Sequence, residues 1–459
     1  MLRQVVLPVA IAVSGGPDSM ALLHLVAGWL KTRAPGTIAF ASGAAPVIAL
    51  TVDHGLRSRS SDEAQWVAAE AKRLGIPHAT LEWRGPKPAS GIQETARRAR
   101  YDLLLNYVGG EGLPRPREIL LAHHQDDQAE TLLMRLARGS GIDGLSGMRE
   151  TEVRTWLRLG HPVEERHIIL RRPLLDVPKD RLLATLEALG AQCLLDPSNE
   201  DARFERVRLR ARRSELEVAG LVNVSLSTAA RRLAAARAAI EESQHELARA
   251  VVRIEHGACA TLDLAGLRAA PRELTLRVLQ SVIAAFGGRA EPPRRPQLED
   301  LVERLRTSGK LALTLAGAVV VCEQAAPTLR IYREPGRRGL AKRLLRPGEG
   351  IFWDRRFYAS LSSFYGEAVE VRPLGLPTYR RLLKEVPALG ELRLPRQAAA
   401  TLPSFWSRDE LIAVPQLGDL SPDLRGPKIN NECAILADFA PQHIRAMLGS
   451  REAPAITLL

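Results

Sequence analysis

Cysteine is scarce. The 459 residues hold only Cys193, Cys259, Cys322 and Cys433, far apart and without a CxxC pair. This argues against a structural zinc site, a cysteine-held iron–sulfur cluster and a disulfide framework, and it fits a reducing compartment. Long apolar runs are missing as well: no stretch approaches the roughly 18 uninterrupted apolar residues that a membrane span needs. The apolar start at residues 5–13 is short, has no cleavage site and leads straight into Ser-Gly-Gly. It reads as a strand, and the chain as cytoplasmic with no membrane partner. No short period repeats, which excludes collagen-like, mucin-like and coiled-coil architectures. The phosphate loop GxxxxGK(S/T) is absent too. The Gly309-Lys310 pair is followed by leucine and lacks the upstream glycine, which points away from γ-phosphate transfer.

Hydrophobic residues at 46% and charged residues at 25% are the mix of a soluble globular protein, and the length suggests about three domains. Lys and Arg number 64 against 52 Asp and Glu, a formal charge of +12 and a pI near 10.0. Such a surplus favours a polyanionic partner, nucleic acid above all, through counterion release. An Arg-rich composition inherited from a GC-rich genome explains the same numbers, and charge alone does not separate the two.

Apolar runs at 9–13, 47–52, 78–83 and 119–122 alternate with helical patterns at 20–30, 63–74, 90–107 and 125–138. Ser90 opens one of these helices with a capping-box pattern. The alternation predicts an α/β fold, a doubly wound parallel sheet with ligands beyond the carboxyl ends of its strands. A turn and helix follow at 173–190. Residues 215–335 read as a separate, mainly helical domain, with a long helix capped by Ser227 and short strands at 311–315, 319–322 and 329–332. Residues 335–350 read as a linker, and 350–459 as a small α+β domain. Residues 1–214 form the expected catalytic domain.

Three polar clusters fall at strand ends. The first is Ser14-Gly15-Gly16-Pro17-Asp18-Ser19 between a strand and a helix. Glycines let backbone approach an anion, the helix start offers free N–H groups, and the Ser14 and Ser19 hydroxyls extend the nest. Asp18 cannot bind phosphate itself, so it either holds Mg²⁺ or fixes the turn; a plain strand–helix turn capped by Ser14 is the bland alternative. The second cluster, Asp53-His54-Gly55-Leu56-Arg57, lies where a base or ribose sits in this fold class, or is an Asp-capped turn. The third is His123-His124-Gln125-Asp126-Asp127-Gln128-Ala129-Glu130. Asp126 and Glu130 share a helix face with Asp127 beside them, a set that suits Mg²⁺ near a pyrophosphate or simply favours the helix dipole. Zinc spacing of the HExxH type is absent there. Gly139-Ser140-Gly141-Ile142-Asp143-Gly144 matches GxGxxG but follows a helix, which removes the dinucleotide reading. Glu94, Arg97 and Tyr101 recur at helical spacing, as do Arg203, Arg206, Arg210 and Arg213, whose stripe suits phosphates or a solvated basic face.

Taken together these residues resemble the tRNA(Ile)-lysidine synthetases of the PP-loop (N-type ATP pyrophosphatase) superfamily. The likeness rests on SGGPDS at 14–19, DHGLR at 53–57, ExAR at 94–97 and HxxDDQxET at 123–131. It continues through the Gly-rich run at 138–148, RPLL at 172–175 and DPSNxDxxFxR at 196–206, with LPSFWSRDELIAVP at 402–415 weaker. Many members have Asn where Val207 stands. The resemblance implies a ligase that adenylates the C2 oxygen of the wobble cytidine of tRNA(Ile) with anticodon CAU, then joins free L-lysine to C2, releasing AMP and pyrophosphate. ATP and Mg²⁺ are the implied cofactors. It assigns Ser14, Gly15, Gly16, Pro17, Asp18, Ser19, Asp53, His54 and Arg97 to ATP, and Asp18, Asp126, Asp127 and Glu130 to catalysis. Asp18 and Asp126 go to Mg²⁺, and Arg172, Arg203, Arg206 and Arg210 to tRNA or other phosphates. Residues 350–459 are the implied further tRNA contact. Thiolation would need clustered cysteines and glutamine-fed amidation a glutaminase signature, and neither is present. A non-catalytic RNA-binding protein on the same scaffold is the alternative from another class. Oligomeric state is not legible.

Overall fold

The apolar run at the start of the chain forms a strand, β1 (Val9–Ala12), in which Val9, Ala10 and Ile11 have no exposed surface. This computed structural model describes the chain except for residues 1, 3, 34–44, 57–58, 86, 89, 111–115, 161–163, 195–204, 308–309, 323–326, 338, 427, 430–431, 434 and 440–459. Its contacts define two units, Met1–Arg158 with Glu165–Ala238, and Leu159–Glu164 with Ala239–Leu459.

In the first unit β1 is followed by α1 (Pro17–Arg33), β2 (Val47–Asp53), α2 (Ser60–Arg73), β3 (His78–Glu82), α3 (Ile92–Gly109), β4 (Glu118–Leu120), α4 (Gln125–Ala137) and α5 (Ile142–Leu145). Next come β5 (Thr151–Arg158), β6 (Glu164–Arg171), α6 (Lys179–Ala188), α7 (Glu205–Ala211), α8 (Arg213–Val218) and α9 (Asn223–Val251), the last running past the end of the unit. The sheet order is β3-β2-β1-β4-β6-β5, and β1 pairs in parallel with both β2 and β4. The period-two alternation of a strand buried on both sides divides the core. Val9, Ile11 and Val13 join Met20, Leu23, Val67 and Leu186, whereas Ala10 joins Leu50, Leu104 and Ile168 on the other face. The order reverses at β1, so the turn after β1 lies at the crevice that doubly wound sheets use for ligands.

The predicted parallel α/β fold is therefore present, with local differences. β5 and β6, unread in the sequence, extend the sheet beyond β4. Ser90 does not cap α3: Gly91, at φ 66°, is its N-cap, with no capping side chain, and Thr95 Oγ1 donates to Gly91 O at 3.2 Å. Ser227 lies inside α9, which starts at Asn223, and its hydroxyl donates to Val224 O. The arginine stripe is broken, since α7 ends at Ala211 and α8 begins at Arg213.

The second unit holds a five-stranded antiparallel sheet, β7 (Val252–Glu255), β8 (Cys259–Asp263), β9 (Leu311–Leu315), β10 (Ala318–Cys322) and β11 (Thr328–Arg333), in the order 7-8-11-10-9. Helices α10 (Leu264–Ala269), α11 (Arg272–Gly287) and α12 (Arg295–Thr307) bury Leu267, Leu279, Phe286 and Leu301 in the same core. The region expected to be mainly helical thus contains a sheet as well as its helices. A second core, with Trp353, Phe357, Tyr379 and Phe405, lies beneath a four-stranded and a three-stranded sheet. By contacts, Glu165–Ala238 belongs to the first unit and Ala239–Leu459 to the second. Among the described residues no helix is long and apolar enough to cross a membrane.

Candidate active site

The site is built where β1 hands over to α1. Gly15 has φ +85°, and a Cβ there would lie 2.8 Å from Leu194 Cδ1. Both the left-handed backbone and the close approach call for glycine. Leu194 N donates to Gly15 O at 2.9 Å, which ties the segment after α6 to the turn. Ser14 N donates to Ser19 Oγ at 3.1 Å, and Ser19 Oγ donates to Gly16 O at 3.0 Å. Pro17 opens α1, and the first N–H groups of a helix have no intrahelical partner. The turn therefore presents donors and a positive dipole end to an anion.

Asp18, in the first turn of α1, faces the start of α4. Its Oδ2 lies 3.5 Å from His124 Nε2 and 3.9 Å from Lys179 Nζ, and its Oδ1 is buried without a hydrogen-bond partner. Burial pushes the Asp18 carboxyl up, but the interaction with His124, together with the charges of Lys179 and Arg210, outweighs it and leaves the pKa below the ordinary value. His124 is the N-cap of α4 and is almost fully buried. Burial lowers its pKa, yet Asp18, Asp127 and Asp126 together carry it above the usual histidine value. An imidazole whose pKa its carboxylate neighbours raise thus sits between the Ser14–Ser19 turn and the carboxylates.

The carboxylates of α4 are each engaged by chain distant in sequence. Asp126 Oδ1 accepts from Lys179 N at 3.3 Å, and Oδ2 from Arg213 at 3.0 Å. Asp127 Oδ2 accepts from His124 N at 3.1 Å, while its Oδ1 lies 3.7 Å from Arg210. Glu130 takes a bidentate pair from Arg210 at 2.6 and 3.1 Å. Gln128 exchanges two hydrogen bonds with the backbone of Met148, and Arg135 donates to Gly144 O and Gly147 O. The Gly-rich run at 138–148 is thereby moored to α4. Among the described residues no group of three or more His, Cys, Asp and Glu is placed to hold a metal by itself.

Asp18, Asp126, Asp127 and Glu130 are brought together as expected, but other residues take different places. Arg210, expected at a phosphate, is the partner of Glu130. Arg172, likewise expected at a phosphate, is 4% exposed and donates to Arg149 O at 2.7 Å and Glu152 at 2.9 Å, with only its Nε left without a partner. Asp53 Oδ1 accepts from Gly55 N at 2.8 Å, so that oxygen fixes its own turn. His54 meets the edge of Trp83 and lies 3.4 Å from Arg100. Burial, then the charge of Arg100, pushes its pKa down to about 4. Arg97 is exposed, with its guanidinium carbon 5.2 Å from the centre of the Tyr101 ring. Arg206 is half-buried on α7. Arg57, Arg203 and residues 196–204 of the last motif lie outside the described residues. Lys179 and Arg213 were not assigned roles from sequence. Arg213 has the stripe as its signal, whereas Lys179 is only a lysine after a proline.

A PP-loop domain family matches residues 5–215. The chain is 43% identical over 340 residues to a tRNA(Ile)-lysidine synthase of Methylobacterium sp. (strain 4-46), covering 72% of this chain and 90% of that one. It is 35% identical over 408 residues to the tRNA(Ile)-lysidine synthase of Ruegeria pomeroyi, covering 89% and 88%. Among solved structures, a U34-tRNA thiolase from Methanococcus maripaludis aligns with 19% identity and a TM-score of 0.38 over 49% of this chain and 72% of that chain.

Proposed function

Since the chain belongs to the tRNA(Ile)-lysidine synthase family, we propose that it is an ATP-dependent ligase that joins free L-lysine to the wobble cytidine of tRNA(Ile) with anticodon CAU. AMP and pyrophosphate are the other products. The observation that carries the assignment to this site is the meeting of Asp18, on the phosphate turn, with His124 at 3.5 Å, at the head of the carboxylate helix. A triphosphate and a cationic amine need to come together at one target atom, and here the groups suited to each converge.

The chemistry takes two steps. The C2 oxygen of the cytosine attacks the α-phosphorus of ATP and pyrophosphate leaves. The turn at Ser14–Ser19 and the positive end of α1 stabilise the charge that builds on the departing phosphates. The ε-amine of lysine then attacks C2 and AMP departs. Free lysine has a pKa of about 10.4, so the site must take a proton from it. His124 faces Asp18, Asp126 and Asp127, whose charges favour its protonated form. Glu130 is bound along both oxygens by Arg210, which leaves Asp127, with one oxygen 3.7 Å from Arg210, as the freer base and ammonium ligand.

Mg²⁺ fits at Asp18, whose buried Oδ1 lacks a partner; there it would neutralise phosphate charge, its other positions filled by phosphate oxygens and water. Asp126 fits less well, because Lys179 N and Arg213 already occupy its two oxygens. Arg97 and Arg206 are left for ATP or tRNA phosphates, and residues 350–459 for further tRNA contact. A tRNA substrate supports the reading of a cytoplasmic enzyme. Incubation with ATP, labelled lysine and a CAU-anticodon transcript should move label into the tRNA, with AMP as product. Label retained when the wobble C is changed to U, or ADP in place of AMP, would overturn this reading.

A further inference from the structure

Five of the six tryptophans are accounted for by packing: Trp29, Trp66, Trp156 and Trp353 belong to or lie against a hydrophobic core, and Trp406 is 8% exposed. Trp83 belongs to none of these cores and is half-buried, directly after β3 at the carboxyl edge of the sheet. Polar groups hold it in place. Its backbone N–H donates to Asp53 O at 2.8 Å, and the His54 and Trp83 rings meet edge to face with centroids 5.9 Å apart. Lys87 Nζ lies 5.8 Å from the ring centre and donates to Gly55 O at 3.1 Å. Gly85 leaves the indole room, since a Cβ there would come within 2.9 Å of Nε1.

Other cations lie on neighbouring stretches of the chain. Arg84, the next residue, is exposed and pairs with the exposed Glu82, a contact worth little in water. Arg100 lies beside His54, and the Nδ1 of His54 is buried without a partner. In a chain where aromatics are 4% of residues, a tryptophan held by a histidine and a lysine outside any core is costly unless its face is used. An aromatic face among cations is how proteins take single-stranded nucleic acid without reading its sequence.

We propose that Trp83 is a stacking platform for a nucleobase of the anticodon loop, with Lys87 and Arg84 on the flanking phosphates. This rests on the reading that the chain acts on tRNA. The topology favours RNA over the adenine of ATP. β2 lies between β1, which carries the phosphate turn, and β3, so Trp83 is two strand spacings, roughly 10 Å, from that turn. A nucleotide held by its phosphates at β1 places its base over the end of β2, and the next strand is left for a second ligand.

The test uses the full chain with Trp83→Ala, Trp83→Phe and Lys87→Ala, measuring lysine transfer with tRNA and ATP varied separately. Trp83→Ala should raise KM for tRNA about tenfold, a typical stacking effect, with KM for ATP unmoved, and Trp83→Phe should recover most of the loss. Lys87→Ala should make tRNA affinity less steep in salt by about one ion. A rise in KM for ATP alone would make Trp83 an adenine platform and overturn the proposal. Unchanged KM for both would make it a structural residue. Should Trp83→Ala fail to fold, Trp83→Leu, which keeps bulk but not the π-face, replaces it. Tryptophan quenching by an anticodon stem-loop, compared between the parent chain and Trp83→Phe, needs no turnover. Quenching in the parent alone supports the platform even if no lysine is transferred, an outcome that would sink only the proposed function; equal signals overturn the platform.

Discussion

The phosphate turn and the carboxylate helix are neighbours in the first unit, yet they are held by opposite means. The turn is local: Ser14 and Ser19, five residues apart, bond each other, and what it offers are backbone N–H donors that strand and helix geometry orient. The carboxylates of α4 are set by chain far away. Arg210 reaches Glu130 across 80 residues, Arg213 reaches Asp126 across 87, and Lys179 N reaches Asp126 across 53. A backbone site tolerates changes of surface charge but not of backbone shape. A side-chain site of clustered carboxylates behaves the other way, because its members repel unless cations are supplied.

Asp18 belongs to both halves, so Asp18→Ala should give the largest effect. It removes the carboxylate that faces His124 and the one best suited to Mg²⁺. Lysine transfer should fall by at least about a thousandfold, in the range of losing a charged group that acts at the transition state, while tRNA binding stays close to normal in a filter assay. Full activity would detach the phosphate turn from the chemistry. Arg210→Ala comes next. It leaves Glu130 without its bidentate partner among three other carboxylates, and activity should drop on the order of a hundredfold, chiefly through KM for lysine. Arg210→Lys keeps the charge but loses the fork and should recover only part. Equal activity in all three would show that the distant arginine is not what organises this helix.

How much of this was readable follows the same division. The doubly wound sheet was legible because β1, β2 and β4 are apolar runs bounded by turn residues, and the Ser14–Ser19 turn because its shape lies in glycine positions and backbone. β5 was not, since Thr-Glu-Val-Arg-Thr-Trp-Leu-Arg carries charge at the sheet edge and lacks an apolar run; β6, inside the sheet, has only Ile168, Ile169 and Leu170 after four polar residues. The capping-box pattern at Ser90 lost to Gly91, whose left-handed conformation turns the chain into α3 without a side-chain cap. The four carboxylates could be named, but not their partners. Arg210 and Arg172 carry the charge expected of phosphate ligands, and only the tertiary fold shows Glu130 and Glu152 beside them. Val207, where the resemblance led us to expect Asn, is half-buried on α7, and nothing in the structure explains the difference.

Gly15→Ala attacks the turn through shape alone. It forces an L-residue to φ +85° and brings a Cβ within 2.8 Å of Leu194 Cδ1. The strain should cost about 1–3 kcal/mol in chemical denaturation and raise KM for ATP about tenfold, with KM for lysine little changed. Adding Leu194→Ala should relieve the clash but not the dihedral, so the double variant should regain part of the stability. Complete recovery would mean that contact, not conformation, requires the glycine.

The smallest effect concerns the two histidines on either side of this division, which should respond to pH with opposite sign. The folded-state pKa of His54 is about 4, below the unfolded value near 6.5. Between those values the unfolded chain binds the extra proton, so stability is lost as pH falls from about 6.5 towards 4. For a half-buried ring the loss should be on the order of 1 kcal/mol by pH 5. His124 is shifted upward, so its contribution is fully present below 6.5 and is lost as pH rises through its folded value. Denaturation at stepped pH should therefore show His54→Gln flattening the acid limb, whereas His124→Gln removes stability mainly on that limb. If both variants moved the profile in the same direction, the upward shift at His124 would be wrong, and the carboxylates would depend on Arg210, Arg213 and Lys179 alone.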